Sequence, residues 1–191
     1  AGMLESEPSI ASRIRARYRH FVVDEYQDVS PIQQRLLDVW LGESDDICVV
    51  GDASQTIYSF AGATSDYLVH FHEAFPQASV IQLEQNYRSS PDIIQAANIT
   101  VHGMPGALAL KPQETESMPI LVGHLDTDED EAAWVADQIG SLVSSGTPAS
   151  DIAVLHRFSA QTLLTEGALR SAGVSVRVQG GTRFFDQPHV K

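Results

Sequence analysis

The run Phe21-Val22-Val23-Asp24-Glu25-Tyr26-Gln27-Asp28 decides the fold. Three apolar residues suffice for a short buried strand. Two adjacent carboxylates follow at its C-terminal end, where open α/β sheets take their ligands. In a nucleotide-hydrolysing site such a pair divides the labour. In such a site the first acid, the position of Asp24, would hold Mg²⁺, and the second, the position of Glu25, would orient and deprotonate the attacking water. Many strands end in an exposed acid, so the pair alone leaves the role open.

Working outward, Ile47 to Val50 predicts the next strand, and it ends in Gly51-Asp52-Ala53-Ser54-Gln55-Thr56-Ile57-Tyr58. Glycine is expected there for a sharp turn at the strand tip. Gln55 is a candidate to touch a phosphate oxygen with one end and sense a neighbouring segment with the other. The third element is Leu83-Glu84-Gln85-Asn86-Tyr87-Arg88-Ser89-Ser90-Pro91. Arg88 at a lobe junction suits an arginine finger acting across a cleft, and the Tyr87 ring can stack on a base plane. A surface arginine and a core tyrosine are the plainer alternative.

The surrounding signals alternate between strand and helix, which predicts an α/β fold with parallel sheets flanked by helices. Helices are expected over 8–17, 32–41, 64–75, 91–101, 129–144 and 160–172. Ser30-Pro31 and Ser90-Pro91 each supply a cap followed by proline at the first helical position, and Gly42 supplies a stop. Further strands are expected over 80–83, 120–125, 152–156 and 174–178, with a loop over 103–119. The restart after that loop suggests two lobes with a hinge near 84–92.

Composition narrows the class. Hydrophobic residues make up 43 % and charged residues 19 % of the 191 positions, as in a globular chain. No apolar run is long enough to span a bilayer, and the first eight residues lack the pattern of a secretory signal; a cytoplasmic protein is expected. One cysteine, Cys48, permits no internal disulfide and lies in an apolar strand. The net charge of −13 argues against phosphate binding by the whole surface. The charge is uneven, however: residues 112–151 hold nine acids and no Lys or Arg, while Arg13, Arg15, Arg17 and Arg19 cluster near the start. Contact with nucleic acid would therefore be local. The acidic run 126–131 is not an EF-hand, because its sixth and twelfth positions are Glu131 and Asp137. Scattered histidines speak against a metal cage, and no Gly-x-Ser-x-Gly or Cys–His pairing marks a hydrolase nucleophile.

Together, Asp24-Glu25-Tyr26-Gln27-Asp28, the stretch Val50–Ala63 and Gln85-Asn86-Tyr87-Arg88-Ser89 resemble motifs II, III and IV of the UvrD/Rep/PcrA helicases of superfamily 1. Residues 151–157 and Gly180-Gly181-Thr182-Arg183-Phe184-Phe185-Asp186 look like the first part of that family's second RecA-like domain. The resemblance implies a RecA-like P-loop NTPase architecture in two partial lobes, residues 1–86 and 87–191. It also implies an ATP-dependent 3′–5′ DNA helicase of repair or replication, with ATP and Mg²⁺ as cofactors and single-stranded and duplex DNA as partners. By similarity, Asp24 coordinates Mg²⁺ and Glu25 is the base. Gln55 contacts the γ-phosphate, Tyr87 stacks on adenine, and Arg88 reaches the γ-phosphate. Tyr58 and Phe60 stack on single-stranded DNA.

Two departures stand out. Phe60-Ala61 stands where many members have Trp-Arg, so the charge contact that this arginine implies between the DNA and nucleotide sites is not carried over to this chain. No Gly-x-x-x-x-Gly-Lys-Ser/Thr occurs, so the parent is expected to extend on both sides of a fragment that does not turn over ATP alone. A helicase–nuclease subunit and a non-hydrolysing binding remnant are the alternatives.

Overall fold

The computed structural model describes residue 2, residues 6–117 and residues 119–179, which form two compact units divided between Ile120 and Leu121. The Gly180–Asp186 stretch lies outside the described residues.

The first unit opens with α1 (Pro8–Arg17), followed by β1 (Phe21–Val23), α2 (Pro31–Leu41) and β2 (Ile47–Val49). β1 and β2 are parallel, with Phe21 opposite Ile47, Val22 opposite Cys48 and Val23 opposite Val49. Parallel neighbours need a crossover connection, which α2 supplies. Its start follows from Ser30-Pro31: proline takes the first helical position, and the Gln33 side chain reaches back to accept from the Ser30 N–H at 2.9 Å. Its end is fixed by α1. Arg15 Nε and Nη2 donate to the Val39 carbonyl at 3.0 and 2.8 Å, placing a cation at the negative end of the helix dipole. Gly42 turns with φ 63°, and a Cβ there would stand 2.8 Å from Arg15 Nε. The positive φ is what calls for glycine, since the arginine side chain is flexible enough to shift.

The centre of this unit is Tyr26, 2 % exposed, in the short 3-10 turn that follows β1. Its ring meets Phe71 edge-on at 5.9 Å, and its hydroxyl donates to Gln34 Oε1 at 2.6 Å. Phe71 belongs to α4 (Phe71–Ala74), which follows α3 (Asp66–Val69). One continuous helix was expected over 64–75. Instead the chain breaks at His70, whose φ and ψ are −100° and 16° and whose Nδ1 lies 3.1 Å from the Asp66 carbonyl. A side chain competing for backbone partners in a stretch rich in aromatic residues interrupts the helix.

β3 (Gln85–Asn86), α5 (Pro91–Thr100) and β4 (Lys111–Pro112) complete the unit. β4 falls where only a loop was expected. The Asn98 side chain makes the difference. It donates to the Leu110 carbonyl at 2.9 Å and accepts from the Leu110 N–H at 3.0 Å, drawing residue 111 back beside β3. The pairing is parallel, Gln85 with Lys111 and Asn86 with Pro112.

The second unit packs α6 (Asp128–Ser144) against α7 (Ser159–Ser171). Four acids fill the first turn of α6, where the dipole favours them, and Thr127 Oγ1 caps it by accepting from the Asp130 N–H at 3.1 Å. Ala136, Ile139 and Leu169 form the buried cluster, with Ile152, Val154, Val174 and Val176 packed against it.

Strands expected over 80–83, 120–125, 152–156 and 174–178 carry no ladder among the described residues. Residues 152–156 and 174–178 do alternate between half-buried and exposed, as a one-sided strand would. A strand, however, also needs a neighbour for its backbone groups, and propensity supplies only the face. Ile81, Leu83, Val122 and Leu155 are left 82 %, 78 %, 91 % and 93 % exposed.

Candidate functional site

The parallel pair β1–β2 presents its two C-terminal tips side by side. Ladder bonds continue beyond the strands, from the Val50 N–H to the Val23 carbonyl at 2.8 Å and from the Tyr26 N–H to the Val50 carbonyl at 2.9 Å. Asp24 and Glu25 therefore stand beside the Gly51–Gln55 turn, all within the first unit.

Glu25 has φ 51° and ψ 41°, and it is the sole non-glycine with positive φ among the described residues. For an L-residue this left-handed conformation costs on the order of 1–2 kcal/mol. Its N–H donates to Asp24 Oδ1 at 3.0 Å, and both carboxylates are exposed. Sequence reading identified the residue but carried no signal of its backbone state.

Gln27 is the residue that sequence reading left without a role. It is 1 % exposed. Its Nε2 donates to Glu25 Oε2 at 2.6 Å, and its Oε1 accepts from the Asp52 N–H at 3.2 Å. Its carbonyl faces Thr56 Oγ1 at 3.5 Å. Gly51 makes room for it. A Cβ at that position would sit 2.5 Å from Gln27 Oε1, and Gly51 is not among the positive-φ glycines. Glycine is thus required there for close approach rather than for a positive φ.

Within the second turn, Asp52 caps Ser54 through an Oδ1 contact of 2.9 Å and accepts from Gln55 Nε2 on Oδ2 at 2.9 Å. Gln55 is held by its own loop and remains exposed. Three residues on, Tyr58 and Phe60 form a tilted pair with centroids 6.0 Å apart. They are 51 % and 85 % exposed, a platform open to solvent.

Tyr87 and Arg88 follow β3, which belongs to the other two-stranded sheet. The Tyr87 hydroxyl donates to Gln85 Oε1 at 2.6 Å, leaving the ring 68 % exposed. Asn86 Oδ1 accepts from the Arg88 and Ser89 N–H groups at 3.0 and 2.9 Å, which fixes the backbone at the arginine. Among the described residues no hydrogen bond or ion pair joins the Arg88 guanidinium to Asp24, Glu25 or Gln55.

The donor set suits Mg²⁺. Asp24 offers a hard carboxylate whose Oδ2 has no hydrogen bond among the described residues. No three His, Cys, Asp or Glu side chains gather as a cage there. Mg²⁺ is commonly held by one or two carboxylates completed by phosphate oxygens and water. Tyr26 beneath the site keeps its proton more tightly than usual, since burial raises its pKa against the opposing hydrogen bond to Gln34.

A carboxylate pair at one strand tip beside a glutamine-bearing turn at the next is the arrangement of nucleotide-hydrolysing α/β proteins. Residues 1–76 match the UvrD/REP helicase N-terminal domain, and residues 81–191 match the UvrD-like helicase C-terminal domain. The chain belongs to the UvrD/REP helicase family. It is 45 % identical over 197 residues to the ATP-dependent DNA helicase UvrD2 of Mycobacterium tuberculosis, covering 100 % of this chain and 28 % of that protein. It is 36 % identical to UvrD1 of the same organism, covering 99 % of this chain and 26 % of the relative. Against DNA helicase II of Escherichia coli it is 34 % identical, covering 97 % of this chain and 26 % of that protein. The chain thus spans little more than a quarter of these relatives. No described helix is long and apolar enough to cross a membrane.

Proposed function

We propose that the whole protein is an ATP-dependent DNA helicase of the cytoplasm, translocating 3′–5′ on single-stranded DNA and opening the duplex ahead. This chain carries its water-activating half. In this reading residues 1–86 belong to the first RecA-like domain and 87–191 to the second, each in part, with the remaining helicase chain on either side as partner. The observation that carries the proposal is the juxtaposition of Asp24-Glu25 with the Asp52–Gln55 turn across one parallel pair.

Asp24 would hold Mg²⁺, and Glu25 beside it orients the water and takes its proton. Bound Mg²⁺ offsets negative charge on the phosphate oxygens. Gln55 contacts the γ-phosphate from the second turn. Tyr87 stacks on adenine, and Arg88 stabilises charge that develops on the γ-phosphate. Tyr58 and Phe60 stack on bases, a sequence-tolerant contact suited to a moving motor. Support for the aromatic roles comes from the exposure of Tyr58, Phe60 and Tyr87, at 51 %, 85 % and 68 %.

The test is ATP turnover. Residues 1–191 alone should show no DNA-stimulated ATPase, whereas the full-length protein should show it and lose ~10²–10⁴-fold in kcat on Glu25→Gln. Turnover by the isolated chain that disappears on Glu25→Gln would overturn the division of the site.

A further inference from the structure

We infer that Gln27 is a positioning residue that aims the Glu25 carboxylate and ties it to the turn leading to the Tyr58–Phe60 platform. The inference rests on Glu25 being the base and deepens that reading by naming how the site is regulated. Four observations converge on it. Gln27 is 1 % exposed, and both ends of its amide are used between two separate loops. A buried primary amide is retained only where its hydrogen bonds are made. Its Nε2 holds Glu25 Oε2 at 2.6 Å, while Glu25 Oε1 has no hydrogen bond among the described residues. One carboxylate oxygen is therefore anchored and the other stays open to a water. Glu25 occupies a left-handed backbone state that would relax without an external hold.

The same amide accepts from the Asp52 N–H, and Asp52 in turn holds Gln55 Nε2. Thr56 adds a bond from its hydroxyl to the Ala53 carbonyl at 3.1 Å, closing the turn that runs into Tyr58. A shift of that turn when a base stacks on the platform would move the Asp52 N–H, then Gln27, then the open oxygen of Glu25. Gln27 is the piece common to both loops, so DNA binding and water activation share one amide.

The test uses the full-length helicase with Gln27→Ala and with Gln27→Met, the latter keeping most of the volume should the alanine variant fold poorly. DNA-stimulated kcat should fall about 10- to 100-fold, the scale of a misaimed catalytic group. KM for ATP and affinity for single-stranded DNA should each stay within about threefold, since Gln27 is 1 % exposed and offers neither ligand a surface. The ratio of DNA-stimulated to basal ATPase should fall as well. A crystal structure of Gln27→Met should show the Glu25 carboxylate displaced. Adding Gln27→Ala to Glu25→Gln should lower kcat no further, because Gln27 acts through Glu25. A second, independent drop in that double variant, an unmoved Glu25 or an unchanged stimulation ratio overturns the inference. Wild-type turnover in Glu25→Gln removes the base assignment and this inference with it. A normal Glu25→Gln defect with unchanged kcat in both Gln27 variants removes the inference alone.

Discussion

Glu25 and Arg88 are both charged, both exposed and both proposed to act on the same reaction, yet the chain treats them differently. Glu25 is locked: a left-handed backbone, an anchored carboxylate oxygen and a buried glutamine hold it. Around Arg88 only the backbone is fixed, through Asn86, and the guanidinium has no protein partner among the described residues. A base must meet a water in one direction, so its geometry is built in advance. A cation that answers charge in the transition state gains by staying unpaired until that charge develops, because a ground-state ion pair would have to be broken first.

The contrast can be broken at either end. The largest effect is expected from Arg88→Ala in the full-length protein, about 10³-fold in kcat. The melting temperature should not move, since no partner is lost; a large thermal shift would mean that Arg88 is a structural residue. Gly51→Ala should come next. Its Cβ would press on Gln27 Oε1, and kcat is expected to fall by up to ~10²-fold. A kcat equal to wild type would show that the turn adapts and that the lock is loose.

Phe60→Ala should cost about 1–2 kcal/mol of single-stranded DNA affinity, within the range for one base–aromatic stack. Stability should be unaffected because the ring is 85 % exposed. Unchanged affinity in a fluorescence-anisotropy titration would remove Phe60 from the DNA platform.

The smallest effect belongs to the support beneath the locked site. Tyr26→Phe deletes the hydroxyl bonded to Gln34 and should cost ~1 kcal/mol of stability by denaturant titration. Burial raises the Tyr26 pKa above its ordinary 10.0, so the folded state holds the proton more tightly than the unfolded chain. That contribution is full below about pH 10 and is lost as pH rises through the higher folded value. The wild type should therefore lose stability above pH 10, and Tyr26→Phe should flatten that decline. An equally steep decline in the variant would place the alkaline loss elsewhere.

The legible part of this chain was the local part. The positions of β1 and of both Ser-Pro helix starts follow from residues adjacent in sequence, as does the acid-capped α6, although Ser90 makes no capping hydrogen bond and Val22 in β1 is exposed rather than buried. Gln27 was not legible, since a glutamine two residues beyond a carboxylate reads as surface until burial shows otherwise. The break at His70 and the two-residue β4 depend on side chains that reach other backbone groups, which no periodicity registers.

By itself the sequence offered the candidate groups: a carboxylate pair at a strand tip, a glutamine turn at the next and a tyrosine–arginine step, to which the family resemblance added Tyr58 and Phe60. Those follow from residue type and short spacing, because strand ends and caps are local. Tertiary structure alone decided how Glu25 is aimed. Its backbone state, the 2.6 Å bond from Gln27 and the space left by Gly51 join residues 25, 27 and 51 across two strands. Such a fit exists only once β1 and β2 have paired in register.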